Sequence, residues 1–195
     1  TDMQSVSHMV GILKERFPVI DIFILNAGIV PKSSRKTPQG LEEMFMVNYF
    51  SKFLLIHWLR KEGIIRESTI HNSGSSPQRI IFVASESHRN PEQFEWDDFG
   101  IYKEFSIGQA IRLYGYYKLL LTTFSVELAR QLNQSQDTVC SVFALCPGPV
   151  NSNIAREAPK LFHPLLKIVF GIFFRSPAKA AIPLIYLAAS KDVEE

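Results

Sequence analysis

Residues 20–28 read Ile20-Asp21-Ile22-Phe23-Ile24-Leu25-Asn26-Ala27-Gly28. Six residues, largely apolar and β-branched, run into a turn signal, which predicts a short buried parallel strand over 20–25. The pattern recurs twice. Arg79-Ile80-Ile81-Phe82-Val83-Ala84 runs into Ser85-Glu86-Ser87-His88, and Val139-Cys140-Ser141-Val142-Phe143-Ala144-Leu145 into Cys146-Pro147-Gly148-Pro149. Around these strands the apolar residues fall at helical spacing. The helices expected are 2–17 with Asp2 or Ser5 as N-cap, 41–61, 108–132, and two more near 154–174 and 177–189. Residues 67–78 and 90–105 read as irregular excursions, and no internal repeat is present. Strands alternating with amphipathic helices predict an α/β fold, a parallel sheet covered by helices on both faces. Ligands of such sheets bind at the carboxyl ends of the strands. That rule marks Asn26-Ala27-Gly28, Ser85-Glu86-Ser87 and Pro147-Gly148-Pro149.

The chain has 195 residues, 21 basic and 19 acidic, so its formal charge is 21 − 19 = +2. This balance gives no reason to expect a nucleic-acid partner. Hydrophobic residues make up 46%, enough to bury a sizeable core, and the 15 phenylalanines point to a greasy core or pocket. Two cysteines, Cys140 and Cys146, exclude a disulfide scaffold and a four-cysteine zinc site, and read as buried reduced thiols. His57 and His163 lie in apolar helical stretches with nothing at metal-ligand spacing. Thr1 to Ser5 lacks the basic and apolar regions of a signal peptide. The apolar stretch 161–174 is too short to span a bilayer and is interrupted by His163, Pro164 and Lys167. The expected location is intracellular, in the cytoplasm or peripheral to a membrane such as the endoplasmic reticulum.

Tyr114-Gly115-Tyr116-Tyr117-Lys118 places a phenol and an amine one turn apart on a helix. A phenol with a pKa of about 10 is a poor base at neutral pH, and a nearby ammonium lowers that value. Such a pair can exchange a proton with a substrate oxygen. Alone the spacing is weak evidence, because a packed aromatic under a solvated amine has the same pattern. The order of motifs adds to it: Leu25-Asn26-Ala27-Gly28, Val47-Asn48, Ser85, Tyr114, Lys118, then Pro147-Gly148-Pro149-Val150-Asn151-Ser152. Over residues 2 to about 189 this order resembles the short-chain dehydrogenase/reductase family, in its one-domain Rossmann-type form. Phe173-Phe174-Arg175-Ser176-Pro177-Ala178-Lys179-Ala180-Ala181 and Ser85-Glu86-Ser87-His88 resemble its retinol-dehydrogenase-like branch.

The resemblance implies a role for each matching residue. Tyr114 would be the general acid/base, Lys118 would lower its pKa and hold the nicotinamide ribose, Ser85 would bind the substrate oxygen, and Asn48 would hold a water relaying protons to Lys118. Ser85 rather than Ser87 occupies the family's serine position. Asn26, Ala27 and Gly28 would line the cofactor, Pro147, Gly148, Val150 and Ser152 would contact its nicotinamide side, and Asp2 its adenine. The implied cofactor is NADP or NAD, with NADP favoured. The implied reaction is hydride transfer to or from a small lipophilic alcohol or carbonyl such as a retinoid, steroid or fatty aldehyde. Residues 161–174 are apolar beyond one helix face, which suits a greasy substrate, a peripheral membrane contact or a homodimer contact.

Three departures stand out. Leu25 replaces the first Asn of the family turn. Glu86 flanks Ser85, facing solvent or altering the local charge. Nothing in the chain resembles the glycine-rich phosphate loop Gly-x-x-x-Gly-x-Gly. The expectation is therefore a single domain over 1–195, incomplete at both ends: a piece of a longer enzyme, or an inactive scaffold or partner-binding form. A serine hydrolase built on Ser85 and His88 is disfavoured, since the chain has no Gly-x-Ser-x-Gly elbow.

Overall fold

The structure is a computed structural model and describes residues 2–17, 19–66, 77–91, 99–133, 140–151 and 174–193. Three parallel strands, β1 (Ile22–Leu25), β2 (Gln78–Val83) and β3 (Cys140–Leu145), form a sheet in the order β1-β2-β3. Phe23 pairs with Ile80, and Ile80 in turn with Val142. The described helices are α1 (Met3–Arg16), α2 (Glu43–Phe45), α3 (Ser51–Lys61), α4 (Ile107–Leu132) and α5 (Pro177–Ala189). This is the α/β, Rossmann-type parallel sheet that the alternation predicts. The helix expected over 154–174 lies outside the described residues.

Burial follows from position in the sheet. The middle strand β2 is covered on both faces. Ile80 and Phe82 enter a core with Val10 of α1, Ile56 and Leu59 of α3, and Leu121 and Leu128 of α4. Arg79 and Ile81, on the alternate face, are also buried. The buried Arg79 guanidinium donates to the carbonyls of Leu187 at 2.9 Å and Ser190 at 2.7 Å. It thereby supplies a cation to the carbonyl-rich end of α5 and ties that helix to the sheet. On β1 only Phe23 and Leu25 are buried, while Ile22 and Ile24 remain 42% and 45% exposed.

The helix expected over 41–61 is interrupted. α2 passes through a π-helical turn, Met46–Phe50, before α3 begins. Glu42, itself buried, caps this run by accepting from the Met44 and Phe45 amides at 3.0 and 2.8 Å. Phe45 then sits among aromatic rings, stacked on Phe50 at 5.4 Å and edge-on to Phe99 and Tyr117 at 5.2 and 5.5 Å. Cys140 is buried as expected, but Cys146 is only half-buried, because it follows the end of β3 where the sheet no longer covers it. His57 is exposed on α3, its ring stacked on Phe53 at 6.5 Å.

Two glycines make close approaches that any side chain would block. Gly100 has φ +73°, and a Cβ there would enter the Phe45 ring. A Cβ on Gly115 of α4 would lie 2.6 Å from the Ser87 carbonyl oxygen. Ser87 belongs to a 3₁₀ helix, Glu86–Arg89, which follows β2 and leans directly on α4. Gly115→Ala must push that turn away from α4, costing about 1–3 kcal/mol by overpacking. Gly100→Ala adds backbone strain to the same kind of clash and is expected to lower stability by about 2–3 kcal/mol. Urea unfolding of the two variants beside the parent chain checks both. Unchanged midpoints would show that these approaches do not constrain the fold.

Candidate functional site

The strand ends meet at one cleft of ≈ 780 Å³. Asn26, Ala27 and Gly28 after β1, Ser85 after β2, and Pro147, Gly148 and Val150 after β3 all line it, together with Tyr114 and Lys118 of α4. Parallel strands end on the same side of the sheet, so residues far apart in sequence come to one edge. Its apolar wall includes Ile24, Val83, Leu145, Phe174 and Leu184. Asn48 does not line the cleft. Ser152 lies outside the described residues.

Lys118 is 3% exposed and donates from Nζ to the carbonyl of Val83, the last residue of β2, at 2.6 Å. The same Nζ stands 5.7 Å from the centroid of the Tyr114 ring. The Ser85 hydroxyl acts on the Tyr114 phenol, favouring its ionised form. Ser85 Oγ also accepts from the Ser87 amide at 3.3 Å and contacts Ser87 Oγ at 3.2 Å. Of the two serines, Ser85 lines the cleft beside Tyr114 and Ser87 does not. The close packing at Gly115 sets this geometry, because it seats the turn after Ser85 directly on the helix that carries Tyr114.

The electrostatics depart from the expected lowering of the Tyr114 pKa. Burial pushes the Tyr114 hydroxyl above its ordinary value, and the Ser85 hydrogen bond offsets this only in part. The phenol is therefore protonated at neutral pH. Burial also depresses Lys118, to about 8, with Cys146 opposing the shift. The desolvation cost of each buried group outweighs the stabilisation of a phenolate by the amine.

Asn48 is wholly buried in the π-helical turn, beneath the cleft. Its side-chain amide brackets one residue, donating to the Ile29 carbonyl at 2.9 Å and accepting from the Ile29 amide at 2.8 Å. Asn48 Oδ1 would lie 3.6 Å from a Cβ on Gly28, and Lys118 Nζ would lie 4.0 Å from it. Gly28 thus separates the amide from the amine. Asp2 is not brought into the cleft. It caps α1, accepting from the Gln4 and Ser5 amides at 3.2 and 3.3 Å, and takes a hydrogen bond from Gln39 at 2.6 Å. Glu86 faces solvent and pairs with Arg89 at 3.0 Å. His88 Nδ1 contacts the Ser85 backbone carbonyl at 2.6 Å rather than its hydroxyl, so no hydrolase dyad forms.

One residue here was not anticipated. Lys52 of α3 is 4% exposed. Its Nζ donates to the carbonyls of Ala27 and Val47 at 2.7 Å each and of Asn48 at 3.3 Å. Its position, four residues after Asn48 on a helix, could have signalled it. A lysine amid Phe50, Phe53, Leu54 and Leu55 otherwise reads as a solvated amine on an amphipathic helix. Among the described residues no His, Cys, Asp and Glu cluster could hold a metal ion, and no helix is long and apolar enough to cross a membrane.

No family model matches the chain. Individual proteins do. Retinol dehydrogenase 14 of Mus musculus is 34% identical over 194 residues, covering 98% of this chain and 53% of that protein. Retinol dehydrogenase 14 of Homo sapiens is 35% identical over 179 residues, covering 91% of this chain and 48% of that protein. The chain therefore spans about half the length of these curated relatives. Among solved structures, a putative short chain dehydrogenase of Escherichia coli CFT073 complexed with NADPH superposes with a TM-score of 0.63 at 15% identity, covering 100% of this chain and 67% of that one. That superposition establishes the fold, and the sequence matches over nearly the whole chain establish the kinship. Over the residues it spans, the chain belongs to the short-chain dehydrogenase/reductase family, in its retinol-dehydrogenase-like branch.

Proposed function

We propose that the cleft is the catalytic half of an NAD(P)-dependent oxidoreductase acting on a lipophilic alcohol or carbonyl. The observation that carries this reading is the convergence of Ser85, Tyr114 and Lys118 on one cleft at the carboxyl ends of parallel strands. Bound there, a nicotinamide would supply or accept the hydride. The residues after β1 and β3 fit the nicotinamide-ribose half of such a cofactor. Gly28 leaves room for close approach, and Lys118 offers donors to ribose hydroxyls. The pyrophosphate half has no matching glycine-rich loop in this sequence. NADP is favoured, and the solved relative from Escherichia coli binds NADPH.

The proton chemistry follows from the site. A protonated Tyr114 donates from Oη to a carbonyl oxygen as hydride reaches the carbonyl carbon, so the product leaves as an alcohol and Tyr114 becomes a phenolate. Ser85 Oγ donates a hydrogen bond to the same oxygen and stabilises the charge developing on it. Lys118 faces the new phenolate and stabilises it by its charge. The raised Tyr114 pKa favours this reducing direction at neutral pH, since the reverse reaction begins with a phenolate that is scarce there. The wall of Val83, Leu145, Phe174 and Leu184, together with the kinship to retinol dehydrogenases, supports a greasy substrate.

Tyr114→Phe removes the proton donor and little else. It is expected to slow reduction of a retinal or long-chain aldehyde by NADPH at least about 100-fold, the scale of general acid catalysis. NADPH affinity, followed by cofactor fluorescence, should stay within about threefold, well under the tenfold that 1.4 kcal/mol represents. Parent-like turnover in the variant would refute the assignment, and failure of both this chain and an N-terminally extended one to bind either nicotinamide would favour a scaffold role. A pH series adds a second check. Because Tyr114 must be deprotonated to oxidise an alcohol, the oxidation rate should climb as pH rises above neutrality, while carbonyl reduction should not. Parallel profiles in the two directions would contradict the role given to Tyr114.

A further inference from the structure

Lys52 is a buried titratable group beside the cleft that the chemistry above leaves unused. The π-helical turn explains its surroundings. Over Met46–Phe50 the backbone runs as a π-helical turn, and the carbonyls of Val47 and Asn48 in it accept from the Lys52 amine. Lys52 reaches back along its own helix to take both. With its third donor it crosses to the Ala27 carbonyl in the turn after β1. One ammonium thus joins the turn that carries Asn48 to the turn that floors the cleft.

A second cation lies close by. The charge on Lys118 acts on Lys52, whose amine is held by the Ala27 carbonyl next to Gly28. The groups facing the pair are few. The Ala27 carbonyl comes from the turn after β1, the Val47 and Asn48 carbonyls from the π-helical turn, the Val83 carbonyl from β2, Tyr114 from α4, and Cys146 from the segment after β3. Among the described residues no carboxylate pairs with either amine. Two desolvated ammonium groups without a counter-charge disfavour each other's protonated form.

We propose that Lys52 is a positioning residue of this site: its ammonium clamps the Asn48 turn to the Ala27 carbonyl, and its charge makes the protonation of Lys52 and Lys118 mutually dependent. Burial, then the Lys118 charge, lower the Lys52 pKa to about 7, so the clamp carries its full charge only toward the acid side of neutrality. As pH rises through that value the clamp loses its charge, and Lys118 keeps its own proton more readily. The inference rests on the Tyr114–Lys118 reading of the cleft for its catalytic meaning, but its test needs no turnover.

Lysine-selective ¹³Cε NMR of the full chain, titrated from about pH 6 to about pH 11, reads the protonation of each amine directly. The Lys52 resonance, identified by its loss in Lys52→Arg, should titrate at about 7 rather than with exposed lysines at about 10.5. Lys118→Met should raise that midpoint by about one pH unit, because it removes the neighbouring charge. In the parent chain the Asn48 side-chain amide resonances should move with the Lys52 midpoint, and in Lys52→Arg they should stay still across it. A Lys52 midpoint near 10.5, a midpoint indifferent to Lys118→Met, or Asn48 resonances that ignore the transition would each overturn the proposal. If Lys52→Arg does not fold, the Asn48 and Ile29 amides of the parent chain still report the clamp, and their failure to titrate near 7 overturns it equally. Loss of activity in Tyr114→Phe bears on the catalytic reading alone and leaves this result standing.

Discussion

The carbonyl groups at the carboxyl ends of parallel strands are the constraint on which this molecule turns. A strand that stops leaves its last carbonyls without a ladder partner, and buried carbonyls must find donors. Here two lysine side chains supply them. Lys118 takes the Val83 carbonyl at the end of β2, and Lys52 takes Ala27 after β1. Each ammonium lies in a site from which water is largely excluded, so each is held at the expense of hydration. The carbonyl dipoles offset that loss without neutralising the charge. The result is a patch of positive potential at the one edge of the sheet where all the strand-end turns meet.

A cation held by backbone carbonyls keeps a fixed position, whereas one paired with a carboxylate would be neutralised. Lys118 can therefore act on the phenol one turn away, 5.7 Å from its ring centroid. The contact that sets Ser85 against Tyr114 comes from a different source, the missing side chain at Gly115. A backbone carbonyl within 2.6 Å of the position a Cβ would occupy leaves no space even for alanine. Electrostatics thus fixes the amine, and sterics fixes the serine. The two meet on one helix because Gly115 lies between Tyr114 and Lys118.

The strands and the gathering of their terminal turns were legible in sequence, because both follow from short-range rules. An apolar β-branched run ending in Asn26-Ala27-Gly28 or Pro147-Gly148 can be little else, and parallel strands must present such ends together. The choice of Ser85 over Ser87 rested on the family resemblance, which places its serine at the seventh position from Arg79. What stayed hidden depends on burial. Tyr114 and Lys118 share a helix face by spacing, yet the direction of the phenol's shift comes from desolvation, which only the packed structure reveals. Lys52 was invisible for the same reason. The periodicity of 41–61 is that of an unbroken amphipathic helix, and nothing in residues 46–50 announces a π-helical turn. Asp2 shows a further case: its capping of α1 was legible in sequence, while its hydrogen bond from Gln39 was not.

The π-helical turn also changes the meaning of Asn48. In a regular α-helix the carbonyls of Val47 and Asn48 would be committed to amides four residues on, and a lysine at 52 would have to reach solvent. Here both carbonyls accept from the buried Lys52 amine instead. Asn48 then has both its side-chain amide and its backbone carbonyl engaged, the first by Ile29 and the second by Lys52. A residue gripped from both ends cannot turn to bind a mobile water without releasing one of them. The backbone carbonyl of Asn48, on the side away from Ile29, is where the Lys52 ammonium stands.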